Sequence, residues 1–196
     1  MTPKPPQLYL FRHGRTEWSA AGKHTGRSDI PLTEDGEQQA RRLEPRVARL
    51  VFDHVLSSPS QRARKTAELA GLGATMQVEP DLAEWDYGDY EGLTSVEIKQ
   101  QRPGWDVFRD GGPNGESPAQ VADRADRLIA RLETLGGRIA VFSHGHFSRV
   151  IAARWIGQPI ALGLHLALGE ACMSVLDHDA RHAEVRVISL WNQPPD

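Results

Sequence analysis

The sequence has little of several things, and each shortage excludes a class of protein. Only one of its 196 residues, Cys172, is a cysteine, so an intrachain disulfide and a cysteine-rich zinc site are excluded. No apolar run approaches the roughly 20 residues of a membrane span, and the opening MTPKPPQLYLF lacks the apolar core of a signal peptide. We therefore expect a cytoplasmic protein with no membrane partner.

A surplus of basic charge is also missing. Lys and Arg number 23 and Asp and Glu number 26, for a net charge of −3, so a nucleic-acid partner is not expected. Hydrophobic residues make up 39% and charged residues 25%, which is typical of a globular protein rather than a disordered one. The length predicts one domain over 1–196, with the proline-rich residues 1–6 as a loose tail.

Apolar runs alternate with stretches of helical spacing. The runs predict strands at 7–12, 54–57, 75–78 and 138–142, then at 171–177 and 183–189 with a turn near Asp179. Helices are predicted from Thr33 to about Leu50 with a break at Pro45, from Pro59 to about Leu72, and over 94–102, 103–109, 117–135 and 147–156. Residues 14–31 and 81–92 are expected to be irregular. The alternation predicts an α/β sandwich, and the last two strands make its sheet mixed.

Two of the predicted strands end in similar residues. Arg12-His13-Gly14 follows the first strand, and Ser143-His144-Gly145-His146 follows the fourth. Sites in open α/β sheets form at the carboxyl ends of strands, and the second sequence also precedes a predicted helix N-terminus, which favours anions. Glycine at these positions would let a ligand approach the backbone N–H groups closely.

Each of these residues also has a plain structural interpretation. A single histidine at a strand end is more often a hydrogen-bonded structural residue, arginines such as Arg12 and Arg62 mostly lie at the surface, and Glu84 alone reads as an exposed carboxylate. His144 and His146 could ligate a metal, although no third ligand has suitable spacing. Together, two arginines, two histidines and a carboxylate suit a phosphoryl group bound without a metal.

Four segments of the chain resemble the histidine phosphatase superfamily, the family of phosphoglycerate mutases and histidine acid phosphatases. They are Arg12-His13-Gly14, the run SSPSQRARKTA at 57–67, Glu84 within LAEWDYGDYEG, and Ser143-His144-Gly145. The runs at 12–33 and 84–94 are similar to its compact phosphatase branch, which includes broad acid phosphatases and sedoheptulose-bisphosphatase-like enzymes. The resemblance implies a three-layer α/β/α sandwich around a mixed, mostly parallel sheet of about six strands. It also implies a metal-independent phosphomonoesterase without a cofactor, whose partner is a small phosphorylated metabolite.

The resemblance further implies a role for each of five residues. His13 would be the nucleophile that takes the phosphoryl group on a ring nitrogen, while Arg12, Arg62 and His144 would hold the phosphoryl oxygens. Glu84 would protonate the leaving oxygen and then activate the water that hydrolyses the phosphohistidine. Covalent catalysis splits one hard step into two, and a general acid/base carboxylate contributes roughly 10²–10⁴-fold.

Other positions are assigned less sharply. The further phosphate- or substrate-binding candidates are Thr16, Ser19, Thr25, Gly26 and Gly145. Mutases of the family carry Asn where this chain has Ser19, which disfavours the alternative of a phosphoglycerate mutase with the same phosphohistidine step. A catalytically silent phosphate-binding module is the remote alternative. A second anionic group would meet Arg27, Lys99, Arg102 and Arg109 unless these are solvated surface residues. The physiological substrate and a homodimer stay open.

Overall fold

A six-stranded sheet forms the centre of the protein in the computed structural model, which describes residues 5–195. The strands, in chain order, are β1 (Gln7–Arg12), β2 (His54–Ser57), β3 (Met76–Val78), β4 (Arg138–Ser143), β5 (Met173–His178) and β6 (Arg186–Gln193). They lie in the order β3-β2-β4-β1-β5-β6. Strands β1 to β4 are parallel, and β5 runs antiparallel to both β1 and β6, so the predicted mixed, mostly parallel sheet is confirmed.

Helices cover both faces of this sheet. The α-helices are α1 (Glu17–Ala20), α2 (Glu34–Arg41), α3 (Glu44–Val47), α4 (Gln61–Leu69), α5 (Ser95–Gln101), α6 (Val107–Asp110), α7 (Pro118–Leu135) and α8 (Gly145–Trp155). Short 3₁₀ turns occur at Gly73–Thr75, Pro80–Leu82, Gly88–Tyr90 and Ile160–His165. In the described part of the chain, none of these helices has the length and apolar character needed to cross a membrane.

Several predicted boundaries need correction. Helix α4 begins at Gln61 and not at Pro59, because the N–H of Ser58 still pairs with Phe142 of β4 and keeps the chain extended. The stretch 14–31 is not wholly irregular: it contains α1, a single turn without any periodic apolar pattern. The break near Pro45 is present, with the proline in the first turn of α3, where it lacks only an N–H that would be unpaired anyway. Of the predicted tail, residues 1–4 lie outside the described residues, and 5–6 have no regular secondary structure.

The sheet has a hydrophobic core on each face. Along β1, Leu8 and Leu10 belong to one core and Tyr9 and Phe11 to the other, as the two-residue period of a strand requires. The first core includes Val121, Leu128 and Ile129 of α7 and Phe147, Val150 and Ile151 of α8. The second includes Leu43, Val47 and Ala67, from the segment of α3 and α4. The predicted three-layer α/β/α arrangement is therefore confirmed.

This topology brings the two histidine-glycine sequences to one edge of the sheet. Strands β1 and β4 are parallel neighbours with Arg12 opposite Ser143, so His13 and His144 follow at the same level. On the other side of β4, Ser57 of β2 lies opposite Phe142, and the chain then enters α4. A site at the carboxyl ends of these strands is the arrangement expected for an open α/β sheet.

Candidate active site

His13 is buried directly after β1, and its environment fixes both its tautomer and its charge. Its Nδ1 donates a hydrogen bond to the carbonyl of Gly14 at 2.7 Å, so Nε2 carries the lone pair. Burial, together with the charges of Arg62 and Arg12, holds the pKa of His13 well below its usual value. The imidazole is therefore neutral near pH 7, which is the state a nucleophile needs.

Three side chains next to His13 have a buried nitrogen that lacks a hydrogen-bond partner among residues 5–195. These atoms are Arg12 Nε, Arg62 Nε and His144 Nδ1. Arg12 is anchored through Nη1, which donates to the carbonyl of Leu168 at 2.5 Å, and Arg62 is anchored through both terminal nitrogens, which donate to carbonyls in the 25–28 segment. Because an unpaired buried polar atom is costly, these three atoms mark a place for a ligand that forms hydrogen bonds with them.

His144 faces His13 across this place, with 5.2 Å between the ring centroids. Its Nε2 lies 2.7 Å from the hydroxyl oxygen of Ser58. Burial and the charge of Arg62 hold the pKa of His144 well below its usual value, so this ring is neutral as well. A phosphate dianion beside the ring would raise that pKa, because an opposite charge favours the imidazolium. Phosphate binding is therefore expected to be coupled to uptake of a proton.

Glu84 is held at the N-terminus of α8. Its carboxylate accepts hydrogen bonds from the N–H groups of Trp85 at 3.0 Å, His146 at 3.0 Å and Phe147 at 2.7 Å. The positive end of the helix dipole suits a carboxylate at this position. The three donors fix the orientation of Glu84 next to the start of α8, where His144 is the residue that precedes the helix.

Two cavities meet at Glu84. The His13 cavity has a volume of about 210 Å³, and its charged and aromatic lining residues are Arg12, His13, Lys23, His24, Glu84, Tyr87, His146 and Arg149. The Arg124 cavity has a volume of about 480 Å³, and its charged lining residues, besides His144, are Arg27, Asp29, Glu84, Asp86, Glu116 and Arg124. Glu84 can therefore reach a group bound in either cavity.

The further phosphate- or substrate-binding candidates lie close to the cavities, but several of them already form hydrogen bonds within the protein. Ser19, Thr25 and Gly145 line the His13 cavity, and Gly26 lines the Arg124 cavity. Thr16 is buried, and its hydroxyl caps α1 by accepting from the N–H of Ser19. The Ser19 hydroxyl donates to Glu170 at 2.5 Å, and the Gly26 N–H donates to Glu91 at 2.9 Å. Contact between these residues and phosphate stays a prediction.

The role expected for the site glycines is corrected at Gly14. Its N–H donates to the Thr66 hydroxyl at 3.1 Å, so this group is not offered to a ligand. A Cβ on Gly14 would lie 2.3 Å from the carbonyl oxygen of Gly36 in α2, so glycine is needed here for helix packing. At Gly145, a Cβ would lie 3.4 Å from Arg12 Nε, and glycine there gives the guanidinium room.

Sequence reasoning missed three residues that hold the site together. Ser58 contacts His144, and Thr66 bonds both Gly14 and the carbonyl of Arg62. Thr66 follows Arg62 by four residues, so helical spacing could have placed it on the same face. Arg124 donates to the carbonyls of Asp81 and Ala83 at 2.8 Å and fixes the segment before Glu84. No local pattern in the amphipathic helix α7 distinguishes this arginine.

The described residues contain no ligand set for the alternative in which the site binds a metal ion. No group of three or more His, Cys, Asp or Glu side chains there is arranged to hold an ion. The two histidines considered as a ligand pair have separate partners, because His144 contacts Ser58 and His146 Nδ1 lies 2.7 Å from the Tyr87 hydroxyl oxygen.

Comparison with known proteins agrees with this geometry. Residues 8–192 match the model of the histidine phosphatase superfamily, branch 1. An acid phosphatase of Mycobacterium tuberculosis is 42% identical over 192 residues, which cover 96% of this chain and 94% of that protein. Sedoheptulose 1,7-bisphosphatase of Saccharomyces cerevisiae is 38% identical over 185 residues, covering 78% of this chain and 68% of that protein.

A solved structure and a mutase relative complete the comparison. The structure of an open-reading-frame product of Mycobacterium tuberculosis has a TM-score of 0.90 at 39% identity and covers 97% of this chain and 98% of that one. A protein of Serratia proteamaculans named as a phosphoglycerate mutase, GpmB, is 33% identical, covering 88% of this chain and 85% of that protein. The relatives named as phosphatases are more similar, so the mutase alternative is not favoured. The chain belongs to the histidine phosphatase superfamily, branch 1, and is a phosphoric monoester hydrolase.

Proposed function

We propose that this phosphatase hydrolyses small phosphorylated metabolites through a phosphohistidine on Nε2 of His13, without a metal ion. The observation that carries the proposal is the set of unpartnered nitrogens of Arg12, Arg62 and His144 around a neutral, buried His13. Arginine forks match the geometry of phosphoryl oxygens and keep their charge at all relevant pH values.

In the first step, the lone pair on His13 Nε2 attacks phosphorus and the bond to the leaving oxygen breaks. Arg12, Arg62 and His144 hold the three non-bridging oxygens, because phosphoryl transfer depends mainly on positioning and charge stabilisation. Glu84, as the acid, gives its proton to the leaving oxygen, so an alcohol departs rather than an alkoxide.

In the second step, the Glu84 carboxylate takes a proton from water and the water oxygen attacks phosphorus. The phosphorus–nitrogen bond breaks, inorganic phosphate leaves, and neutral His13 is restored with Glu84 protonated. Arg12 and His13 line the cavity of about 210 Å³ and His144 lines the cavity of about 480 Å³, so the proposed phosphoryl site lies where the two cavities meet at Glu84. A cytoplasmic location stays a prediction.

The test is to trap the intermediate on the enzyme. Incubation with a ³²P-labelled ester, quenched in alkali, should leave label on the wild type and none on His13→Ala, while an acid quench should remove it, because phosphohistidine is acid-labile. His182→Ala, an exposed histidine paired with Asp179, is the control and should keep the label. Near-normal turnover by His13→Ala would overturn the proposal. A complete loss of activity in EDTA, restored by zinc or magnesium, would overturn its metal-free part.

A further inference from the structure

Residues 167–172, which precede β5, contact the arginine and the histidine that follow β1. The carbonyl of Leu168 accepts a hydrogen bond from Arg12 Nη1 at 2.5 Å, and this is the only side-chain hydrogen bond of Arg12 within the described part of the chain. The N–H of Ala171 donates to the carbonyl of His13 at 3.1 Å. The two proposed steps give this segment no role, although the orientation of the Arg12 guanidinium depends on where the Leu168 carbonyl lies.

Two adjacent side chains of β6 fix the position of the Leu168 carbonyl. Trp191 Nε1 donates to the carbonyl of Ala167 at 2.5 Å, and Asn192 Oδ1 accepts from the N–H of Gly169 at 2.7 Å. Leu168 therefore lies between two backbone groups that are each bound to β6. This part of the chain has no regular secondary structure, so the side-chain contacts supply the order that a helix or a strand would otherwise provide.

Asn192 has a backbone conformation that few residue types adopt readily. Its φ is 58°, in the left-handed region where asparagine is enriched among non-glycine residues. Its N–H donates to the Ser174 hydroxyl at 3.0 Å, and the pairing of β5 with β6 shifts register in the same stretch. Such an irregularity redirects a side chain out of the regular alternation of a strand. A left-handed residue inside a strand persists where the surrounding contacts require it.

Two further features distinguish the contact between Asn192 and Gly169. Besides Asn192, the non-glycine residues with a positive φ in the described chain are Asn114 and Ala171, and Ala171 belongs to the segment that Asn192 contacts. At Gly169, an added Cβ would lie 2.9 Å from Cys172 Sγ and 3.5 Å from Asn192 Oδ1, so glycine is needed for this close approach. Asn192 is not among the described residues that line either cavity, so it acts at a distance from a bound ligand.

We propose that Asn192 is a positioning residue for the phosphatase reaction: it holds the Leu168 carbonyl, and this carbonyl orients the Arg12 guanidinium toward the phosphoryl group. The Nε of Arg12 is buried and has no hydrogen-bond partner among residues 5–195, so its direction is decided by the contact at Nη1. Catalysis is sensitive to such placement, because a displacement of about 1 Å can cost about 10²-fold in rate. The proposal rests on the proposed function, in which Arg12 holds a phosphoryl oxygen.

The first test removes the Asn192 amide without straining the backbone. Asn192→Gly does this, because glycine adopts a positive φ freely. We expect kcat/KM for p-nitrophenyl phosphate to fall by about tenfold to a hundredfold, and the dissociation constant of orthovanadate, a phosphoryl analogue, to rise by a similar factor. Asn192→Asp keeps an acceptor oxygen and tolerates the left-handed conformation, so it should retain most of the activity. Equal losses in the two variants would show that the acceptor oxygen has no part in catalysis.

The matched control is Asn114→Gly, at another asparagine with a positive φ. Asn114 has a φ of 59° and donates to Asp89 at 2.9 Å on an exposed loop, so its replacement should leave kcat/KM unchanged. If Asn192→Gly does not fold, Trp191→Phe decides in its place. It removes only the indole N–H that binds the Ala167 carbonyl, and it should also lower kcat/KM.

A double-mutant cycle with Arg12→Met separates the positioning of Arg12 from general support of the fold. It uses the dissociation constant of orthovanadate, which needs no turnover. If Asn192 acts through Arg12, Asn192→Gly should weaken binding by less than about twofold once the guanidinium is absent. The same factor in both backgrounds, or no loss in the wild-type background, would overturn the proposal and leave Asn192 a structural role. A wild type that fails to hydrolyse p-nitrophenyl phosphate would contradict the proposed function itself.

Discussion

His13 and His144 are buried beside arginines, and this environment determines which side chains of the site carry a charge. Both histidines have pKa values well below the usual range, so the permanent positive charge resides on Arg12 and Arg62, which no accessible pH removes. The nucleophile can therefore stay neutral while the cations that bind the phosphoryl group stay charged. A lysine in place of either arginine would supply charge without the planar fork.

Replacing Glu84 should affect substrates according to their leaving groups. Glu84→Gln removes the proton donor, so phosphorylation of the enzyme by a sugar phosphate should slow by about 10²–10⁴-fold, because an alkoxide leaves poorly without a proton. Phosphorylation by p-nitrophenyl phosphate should slow much less, because p-nitrophenolate leaves unaided. Burst measurements of the first step with both substrates provide the comparison, with Glu17→Gln on the exposed face of α1 as the control. Equal losses on the two substrates would show that Glu84 is not the acid.

At the scale of secondary-structure elements, a few hydrogen bonds tie together the segments that carry the site. The Thr66 hydroxyl of α4 accepts from the Gly14 N–H at 3.1 Å and donates to the carbonyl of Arg62 at 2.7 Å. Gly14 in turn accepts from His13 Nδ1. The orientation of the nucleophile therefore depends on α4 through one fully buried hydroxyl.

Removing that hydroxyl should reduce both stability and turnover. Thr66→Val keeps the shape of the side chain but leaves the Gly14 N–H unpaired, so we expect a loss of about 1–3 kcal/mol in unfolding free energy. We also expect kcat for p-nitrophenyl phosphate to fall more than KM changes, because His13 loses its fixed orientation. Urea unfolding and steady-state kinetics measure the two effects.

Thr66→Ser is the matched control for this change. It keeps the hydroxyl and should retain most of the kcat while losing some stability with the methyl group. If Val and Ser variants have the same kcat, the hydroxyl does not position His13.

At the scale of the whole molecule, local sequence patterns predicted which segments form strands and helices better than they predicted which of these elements lie side by side. The side-chain alternation along β1 and the Arg12-His13-Gly14 sequence after it could be recognised in the sequence, because both are patterns of a few adjacent residues. That Arg12 lies opposite Ser143 depends on the adjacency of β1 and β4, which no local pattern encodes; the family resemblance supplied the convergence of the site.

The buried histidines should also make the stability of the whole protein depend on pH. His13, His24, His144 and His146 have lowered pKa values in the folded protein, whereas in the unfolded chain they titrate near 6.5. Well above pH 6.5 these histidines are neutral in both the folded and the unfolded state, so they do not change the free energy of unfolding. As the pH falls below 6.5, the histidines of the unfolded chain take up protons that the buried histidines of the folded protein do not bind. The free energy of unfolding therefore falls. Four such groups would lower the unfolding free energy by up to about 5 kcal/mol between pH 7.5 and 5.5.

Urea unfolding across this pH range measures the effect, and His24→Phe removes the contribution of one of these histidines. His24 packs against the rings of Tyr87 and Trp105, so Phe can occupy its place. The slope should decrease by up to about 1.4 kcal/mol per pH unit between pH 6.5 and the folded-state pKa of about 4. Inorganic phosphate should offset part of the loss in the wild type, because a bound anion favours protonated His144 in the folded protein. Stability that is constant or rises as the pH falls, or a slope unchanged in His24→Phe, would show that these histidines are not held neutral by the fold.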